Sequence, residues 1–212
     1  MSITVGTKDN VFLLSTQNTS YAFGIDDRGL VRHLYWGKKI PSAEELEMPV
    51  LTEVSTNDPV FEITPEEYPV HGGMRYKEHC LKVTFADGTR ELVYRYCGYD
   101  LEQGEGWEEL VLHLKDDHYA FCIDLHYRLY PEYDLMERSV MLKNEMEEPI
   151  TIEKLHSAQI HIPYENLNFT NVHGHWGAEQ QRFTQRVSYG KILIENRRGI
   201  SSPNHHTHFS RF

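Results

Sequence analysis

Apolar and polar residues alternate along much of this chain, and the clearest alternation lies in residues 119–131. One face of this segment carries Phe121, Ile123, Leu125, Tyr127 and Leu129, and the other carries Cys122, Asp124, His126 and Arg128. Successive side chains of a β-strand point to opposite faces of its sheet, so a period of two places all the apolar residues on one face. The segment is therefore predicted to form a half-buried antiparallel strand.

Comparable patterns recur along the whole chain. Further strands are predicted at residues 11–15, 19–24, 30–36, 81–85, 92–96, 136–142, 151–162 and 191–195. The pair Asp87-Gly88 lies between two of these alternating runs. Because an Asp-Gly pair tolerates the positive φ that tight turns need, we predict a β-hairpin at this point.

Helix signals are few. Ser42 followed by Glu45 resembles a capping box, which predicts one helical turn at residues 42–46. Residues 176–182 are a weaker helix candidate. Short strands with regular turns and little helix are typical of a β-sandwich. The predicted fold is all-β: one large antiparallel β-sandwich with few short helices, in which residues 1–212 form a single domain.

The formal net charge of −11 at neutral pH narrows the range of partners. Such a surface repels the phosphates of nucleic acids and the anionic headgroups of membranes, so neither is expected as a partner. The three cysteines, Cys80, Cys97 and Cys122, form no CxxC pair, and no apolar signal segment opens the sequence. We therefore expect free thiols, a cytoplasmic location and no cofactor.

The least regular stretch, about residues 41–79, is rich in proline and contains the pair Gly72-Gly73. Long loops on rigid scaffolds often carry function. Aromatic and charged residues cluster near its end, at Tyr68, Arg75, Tyr76, Lys77 and Glu78. Such a mixture suits the apolar ring face and the hydroxyl groups of a sugar. The same mixture of residues suits an ordinary surface loop that packs its tyrosines and exposes its charges. A sugar-binding loop and a surface loop without a binding role therefore both stay open.

A second group is formed by His173, His175 and Glu179, whose spacing HxHxxxE matches part of the metal motif of cupins. Histidine and carboxylate side chains on a β-barrel can bind a divalent metal. The flanking glycines of the cupin motif are misplaced in this sequence, and no later motif with a third histidine follows. No metal site is predicted, and a cupin-like metal-dependent enzyme is kept only as an alternative.

No catalytic residue can be assigned from the sequence. Glycoside hydrolysis needs a pair of carboxyl groups. The adjacent acids Glu44-Glu45, Asp116-Asp117 and Glu147-Glu148 lie in segments predicted to be solvated turns. Neither a nucleophile elbow nor a phosphate-binding or dinucleotide-binding glycine motif is present.

A set of short segments follows in a characteristic order along the chain. They are Gly29-Leu30 with Leu34-Tyr35-Trp36-Gly37; Tyr68-Pro69 with Gly72-Gly73 and Arg75-Tyr76; Leu81-Lys82-Val83 with Asp87-Gly88-Thr89; Arg138-Ser139-Val140 with Asn144; Glu148-Pro149-Ile150-Thr151-Ile152; His173-Gly174-His175-Trp176; and Glu195-Asn196-Arg197-Arg198-Gly199 with Ser201-Ser202. These segments cover most of the chain. Their order resembles that of the amino-terminal domain of family 36 glycoside hydrolases, the α-galactosidase family.

The resemblance implies a supersandwich similar to that of galactose mutarotase. It also implies a parent enzyme that hydrolyses terminal α-galactosides in oligosaccharides such as melibiose and raffinose. In this family a (β/α)8 barrel follows the sandwich and carries two catalytic aspartates of a retaining mechanism. The Lys-Trp-Asp segment of the nucleophile does not occur in this sequence. The chain alone is therefore expected to be inactive. Its expected partner is the catalytic barrel of the same enzyme, and the enzyme is expected to form a homo-oligomer.

The same resemblance suggests a place for the loop. In tetrameric relatives it faces a neighbouring subunit's active site, where an Asp-Phe-Arg triplet borders the sugar pocket. The matching triplet here is Arg75-Tyr76-Lys77, so arginine replaces the acid and lysine replaces the arginine. Lysine lacks the planar fork of arginine. Only the location is carried over, and a substrate-bordering role is predicted for Tyr68, Arg75, Tyr76, Lys77 and Glu78.

An autonomous carbohydrate-binding module is the remaining alternative. The aromatic residues that could stack on a sugar are Tyr68, Tyr76, Trp107 and Trp176. Trp107 follows two glycines in a predicted loop and is expected to be exposed. Trp36 and Trp176 are expected to pack in the core.

Overall fold

The computed structural model describes residues 2–6, 10–48, 65–73, 75, 77–162, 166–175 and 177–194, together with the backbone of residues 206–211. The chain divides into two compact units, Met1–His161 and Ile162–Phe212. Each unit is described by itself below. The expectation of a single domain over residues 1–212 stays a prediction.

The described residues form strands almost throughout. In the first unit they are β1 (Ile3–Val5), β2 (Val11–Ser15), β3 (Thr19–Ile25), β4 (Val31–Lys38), β5 (Leu81–Thr84), β6 (Tyr94–Gly104), β7 (Trp107–Asp116), β8 (Phe121–Tyr130), β9 (Leu135–Asn144) and β10 (Thr151–Leu155). In the second unit they are β11 (Asn168–His175), β12 (Ala178–Arg186) and β13 (His206–Arg211). Short 3-10 turns lie at Ala43–Glu45 and Pro131–Tyr133.

All pairings between these strands are antiparallel. In the first unit, β1-β2-β3-β4 and β6-β7-β8-β9 form two four-stranded sheets, and β10 pairs with β5. In the second unit the order is β12-β11-β13. Most neighbours in a sheet are also neighbours in sequence, which is typical of antiparallel meanders.

The core of the first unit lies between its sheets. Phe12 and Phe23 belong to the first four-stranded sheet, Tyr127 and Leu112 belong to the second, and all four are 0% exposed. The rings of Phe23 and Tyr127 stack across the layers with centroids 4.7 Å apart. The apolar face predicted for residues 119–131 is fully buried. These observations confirm the predicted antiparallel β-sandwich.

The turn at Asp87-Gly88 exists, but the hairpin predicted around it is wrong. The N–H of Phe85 donates to the carbonyl of Thr89 over 2.8 Å, and Gly88 has φ 85°. However, β5 pairs with β10, and β6 pairs with β7. The local pattern fixes where the chain turns. The pairing partner depends on strands distant in sequence, which a local pattern does not contain.

A tighter hairpin occurs where the sequence suggested a loop. Strands β6 and β7 pair up to Gly104 and Trp107, which leaves Glu105-Gly106 as a two-residue turn. Gly106 has φ 78°, as a turn of this kind requires. Trp107 therefore begins a strand and does not lie in a loop.

Four other element predictions are resolved by the structure. The helix candidate at residues 176–182 is wrong, because its described part belongs to β12. The strand predicted at 151–162 ends at Leu155, and residues 191–194 form no strand. The helical turn after Ser42 is confirmed, and the hydroxyl of Ser42 accepts the N–H of Glu44 over 3.1 Å.

The expected free thiols are observed: Cys80 is buried, Cys97 is exposed and Cys122 is half-buried, and none forms a disulfide. Within the residues that the structure describes, no helix is both long and apolar enough to cross a membrane.

Candidate functional site

The loop predicted to border a substrate begins against the edge of the first sheet. The N–H of His33 donates to the carbonyl of Pro65 over 3.1 Å, and the N–H of Glu67 donates to the carbonyl of Val31 over 3.0 Å. An isolated antiparallel bridge joins Arg32 to Glu66 between these two bonds. The base of the loop thus extends the sheet beside β4 and inherits its rigidity.

Glu67 is a buried carboxylate, 1% exposed, at the base of this loop. The hydroxyl of Tyr21 donates to both of its oxygens over 2.8 Å, and the hydroxyl of Tyr127 donates over 2.9 Å. The Nδ1 atom of His33 lies 3.5 Å from the carboxylate. Burial and the charge of Glu67 raise the pKa of Tyr21, so this tyrosine remains a donor. A buried carboxylate with several donors is stable where an unpaired one would not be.

Its neighbour Glu66 is 3% exposed and pairs with arginine. The Nε atom of Arg75 donates to its two oxygens over 2.9 and 3.1 Å. The Nη1 atom of Arg32 lies 4.0 Å from the same carboxylate, and the Nε atom of Arg32 bonds Asp26 over 2.8 Å. The four charges alternate in sign through the buried layer, which offsets the cost of removing them from water.

Tyr68, the first residue of the predicted substrate border, lies in the core. Its ring is 0% exposed, and its hydroxyl donates to the carbonyl of His156 over 2.9 Å. The hydroxyl of Tyr94 donates to the backbone carbonyl of Tyr68 over 3.0 Å. Burial also raises the pKa of Tyr68. The residue therefore holds the loop in place, and its ring is not presented at the surface.

The remaining predicted border residues differ in their surroundings. Arg75 is the partner of Glu66 described above, and Lys77 is half-buried. The carboxylate of Glu78 is exposed and pairs with Lys154 of β10. Tyr76 lies outside the described residues. The structure thus brings Arg75 to the buried cluster and places Glu78 at the surface, while the substrate-bordering role of the set stays a prediction.

The paired glycines of the loop are needed for close backbone approach. Gly72 has φ 135°, and a Cβ atom there would lie 2.9 Å from Cγ of Glu91 and 3.0 Å from the N atom of Leu92. The N–H of Gly73 donates to the carboxylate of Glu91 over 2.9 Å. These contacts fix the loop against the segment that leads into β6.

The histidine and glutamate residues of the alternative metal site do not converge. The register between β11 and β12 shifts between His173 and His175, and the carboxylate of Glu179 accepts the N–H of Gly177 over 2.8 Å. In the described part of the chain, no group of three or more His, Cys, Asp or Glu side chains could hold a metal ion. The spacing in the sequence therefore does not produce a metal centre among these residues.

Other expectations about side-chain exposure also need correction. Asp116, predicted to lie in a solvated turn, is 5% exposed and accepts the N–H of Val93 over 2.7 Å. Trp36, expected in the core, is 40% exposed. Trp107 is half-buried, with the guanidinium of Arg128 over its ring at 4.5 Å. Trp176 lies outside the described residues.

Sequence reasoning missed Arg32 and His33, whose side chains lie 4.0 and 3.5 Å from the carboxylates of Glu66 and Glu67. Both residues are buried, although arginine and histidine on a short predicted strand suggested no special role. The adjacent acids Glu66-Glu67 immediately before Tyr68 were the available signal. A pair of acids just ahead of a buried aromatic residue indicates that buried hydrogen-bond donors lie nearby.

Comparison with solved structures shows that the fold is a β-sandwich similar to a part of solved α-galactosidases. The α-galactosidase AgaB of Geobacillus stearothermophilus superposes with a TM-score of 0.86 at 21% identity, covering 99% of this chain and 32% of that one. The α-galactosidase of Lactobacillus brevis gives 0.84 at 22% identity, covering 98% and 31%.

The sequence comparisons give the family. "Probable alpha-galactosidase G" of Aspergillus terreus is 30% identical over 94% of this chain and 29% of its own length. The glycosyl hydrolase family 36 N-terminal domain matches residues 29–210, and the chain belongs to this family. This confirms the resemblance found in the sequence. The chain spans about 30% of the length of the relatives that it matches.

Proposed function

We propose that this chain serves as the non-catalytic amino-terminal domain of an α-galactosidase that hydrolyses terminal α-galactosides. The observation that carries the proposal is the family match over residues 29–210, in relatives that are about three times as long as this chain. No residue of the chain is assigned a catalytic role. The active-site carboxylates are supplied by a barrel domain of the parent enzyme, which is the partner of this domain.

A partner is supported by apolar side chains that face solvent in the first unit. Ile152 and Leu155 on β10 and Ile160 beyond it are 48%, 46% and 50% exposed. Exposed apolar residues that lie close together are typical of interaction sites, and Ile152 and Leu155 lie on the same short strand. We propose that this surface contributes to domain packing or to a homo-oligomer.

The loop at residues 65–80 is proposed to border the substrate pocket of the assembled enzyme. Its support is rigidity, because a pocket wall must hold its position when a sugar binds. Glu66 and Glu67 fasten the base of the loop to the sandwich, and Tyr68 fixes it to the carbonyl of His156. Of the charged residues that follow Arg75, Lys77 is half-buried and Glu78 is exposed, and both are presented from this fixed base.

An activity assay tests the non-catalytic assignment. The purified chain is incubated with p-nitrophenyl α-galactoside and with raffinose, and a family 36 α-galactosidase serves as positive control. We expect no hydrolysis above the buffer rate. Turnover that stays proportional to the concentration of the chain through further purification would contradict the assignment.

The coding DNA tests the domain assignment separately. We expect the reading frame to continue beyond residue 212 into a barrel with two catalytic aspartates. A stop codon directly after that residue would contradict a role as one domain of a larger enzyme.

In the full-length enzyme, Glu78→Gln tests the loop, because the carboxylate of Glu78 is exposed. We expect KM for raffinose to rise more than kcat falls, because the loop binds substrate without touching the reacting atoms. Glu102→Gln, an exposed carboxylate on β6, is the matched control. Unchanged KM in a folded Glu78→Gln enzyme would contradict the proposal that the loop borders the pocket.

Sedimentation velocity tests the proposed interaction surface. We expect the chain to self-associate with increasing concentration, and the double variant Ile152→Ser/Leu155→Ser to do so less. Leu101→Ser, which removes a similarly exposed leucine from β6, is the control. A strictly monomeric chain at high concentration would argue against the surface.

A further inference from the structure

A pocket with a volume of about 330 Å³ lies in the first unit. This volume reaches the range of about 300–1,000 Å³ that is typical of small-molecule sites. Its lining combines polar side chains, among them Gln17, Lys39 and Glu132, with the apolar side chains of Leu13, Ile40, Pro41 and Pro131. None of its lining residues belongs to the loop at residues 65–80, so the pocket is a separate feature of the molecule.

The walls of the pocket are fixed before any ligand binds. Asp134 adopts a left-handed conformation with φ 51° and accepts the hydroxyl of Thr16 over 2.6 Å and the N–H of Asn18 over 2.8 Å. These bonds tie the 3-10 turn Pro131–Tyr133 to the turn between β2 and β3. The Nζ atom of Lys39 donates to the carbonyl of Thr16 over 2.8 Å. A pocket held in this way loses little entropy when it is filled.

The polar groups of the pocket have hydrogen-bonding capacity to spare. Gln17 and Glu132 are exposed, and within the described residues their side chains make no hydrogen bond. Lys39 uses one of its three ammonium protons on Thr16. An amide, a carboxylate and an ammonium group together supply both donors and acceptors.

The charges of the pocket point to an uncharged ligand. The ammonium group of Lys39 and the carboxylate of Glu132 balance each other, and the chain as a whole carries a net charge of −11, which disfavours anions. A carboxylate accepts bonds from two adjacent hydroxyl groups, while the amide and the ammonium group bond their oxygens. Pro41 and Pro131 offer apolar surface for C–H groups.

From this arrangement we propose that the pocket binds a neutral sugar, either a monosaccharide or one residue of a short oligosaccharide. Tyr133 directly follows the lining residue Glu132 in sequence and is 77% exposed, so its aromatic face is available to stack on a second sugar ring. The site belongs to the sandwich itself. The proposal that this site binds a sugar does not rest on the proposed role of the chain in an α-galactosidase.

A titration of the isotopically labelled chain with galactose and with melibiose, followed by amide NMR shifts, tests the site. We expect shifts centred on Gln17, Lys39 and Glu132, with melibiose binding more tightly because it reaches Tyr133. Gln17→Ala and Glu132→Gln should each weaken binding by about tenfold, since each removes a hydrogen bond to the sugar. The exposed carboxylate of Glu102 lies on β6, and Glu102→Gln should bind like the parent chain.

Three results would overturn the proposal. The first is the absence of shifts at saturating sugar, the second is a set of shifts that maps to residues 65–80, and the third is unchanged affinity in both folded variants. Gln17 and Glu132 are exposed, so circular dichroism should show their variants to be folded. If one variant unfolds, the shift map of the parent chain still decides the question. A hydrolysis assay of the same samples tests the non-catalytic role independently.

Discussion

The carboxylate of Glu67 and the hydroxyl of Tyr127 lie 2.9 Å apart, and they connect the two layers of the sandwich. Glu67 is attached through its backbone to β4 of one sheet, whereas Tyr127 belongs to β8 of the other. The bond is buried. A loop that leads toward a proposed substrate border is therefore fastened to both sheets through one carboxylate.

Glu67→Ala should lower the free energy of unfolding by about 3 kcal/mol, because two buried tyrosine hydroxyls lose their acceptor. Tyr127→Phe should cost only about 1 kcal/mol, since Tyr21 still donates to the carboxylate. Urea unfolding measures both values, with Glu102→Ala as an exposed control. A larger loss in Tyr127→Phe than in Glu67→Ala would show that the carboxylate is not the centre of the cluster.

Gly72→Ala should destabilise the chain by about 3 kcal/mol, because its backbone conformation is close to glycine-only and the added methyl group meets Glu91 and Leu92. Gly88 is the matched control. It also has positive φ, but a Cβ atom there would meet nothing within 4 Å. Gly88→Ala should therefore cost only about 1 kcal/mol. Equal losses in thermal unfolding would mean that the contact at Gly72 relaxes freely.

His113 should make stability depend on pH. Burial acts to lower its pKa, but hydrogen bonds to Asp124 and Asp100, over 2.8 and 3.0 Å, outweigh it and raise the pKa above 6.5. The folded state thus favours the protonated ring. Its contribution is fully present below the unfolded pKa of 6.5 and is lost as pH rises through the higher folded pKa.

Unfolding of the parent chain and of His113→Gln across this pH range measures the effect. We expect the parent chain's advantage over the variant to shrink as pH rises. The pKa values of His71 and His79 are shifted the other way, chiefly by burial, so the difference between the two proteins is the informative quantity. A pH-independent difference would contradict the role of His113.

The three thiols should react at different rates. Burial raises the pKa of Cys80 to about 12, and the residue is 1% exposed, so little reactive thiolate is present. Cys97 is exposed. Mass spectrometry after iodoacetamide treatment should find Cys97 labelled first and Cys80 only after urea is added. Early labelling of Cys80 would show that the core around it opens readily.

The buried cluster beneath the loop illustrates the limit of sequence reasoning. The loop was located from its glycines and aromatic residues, and the glycine pair is used as expected. Its stabilising partners, Arg32, His33, Tyr21 and Tyr127, are separated from it by many residues. No local pattern links such positions, because their contact depends on how two sheets are layered.

Alternation along the chain determined several of the strands and the inward face of β8, because side-chain direction in a strand depends only on position parity. The conformational preferences of single residues determined the turn at Asp87-Gly88 and the 3-10 turn after Ser42. Tertiary structure decided that β5 pairs with β10, that Trp36 is exposed and that Tyr68 is buried. These outcomes depend on long-range packing, in which burial outweighs local preference and the partner lies elsewhere in the sequence.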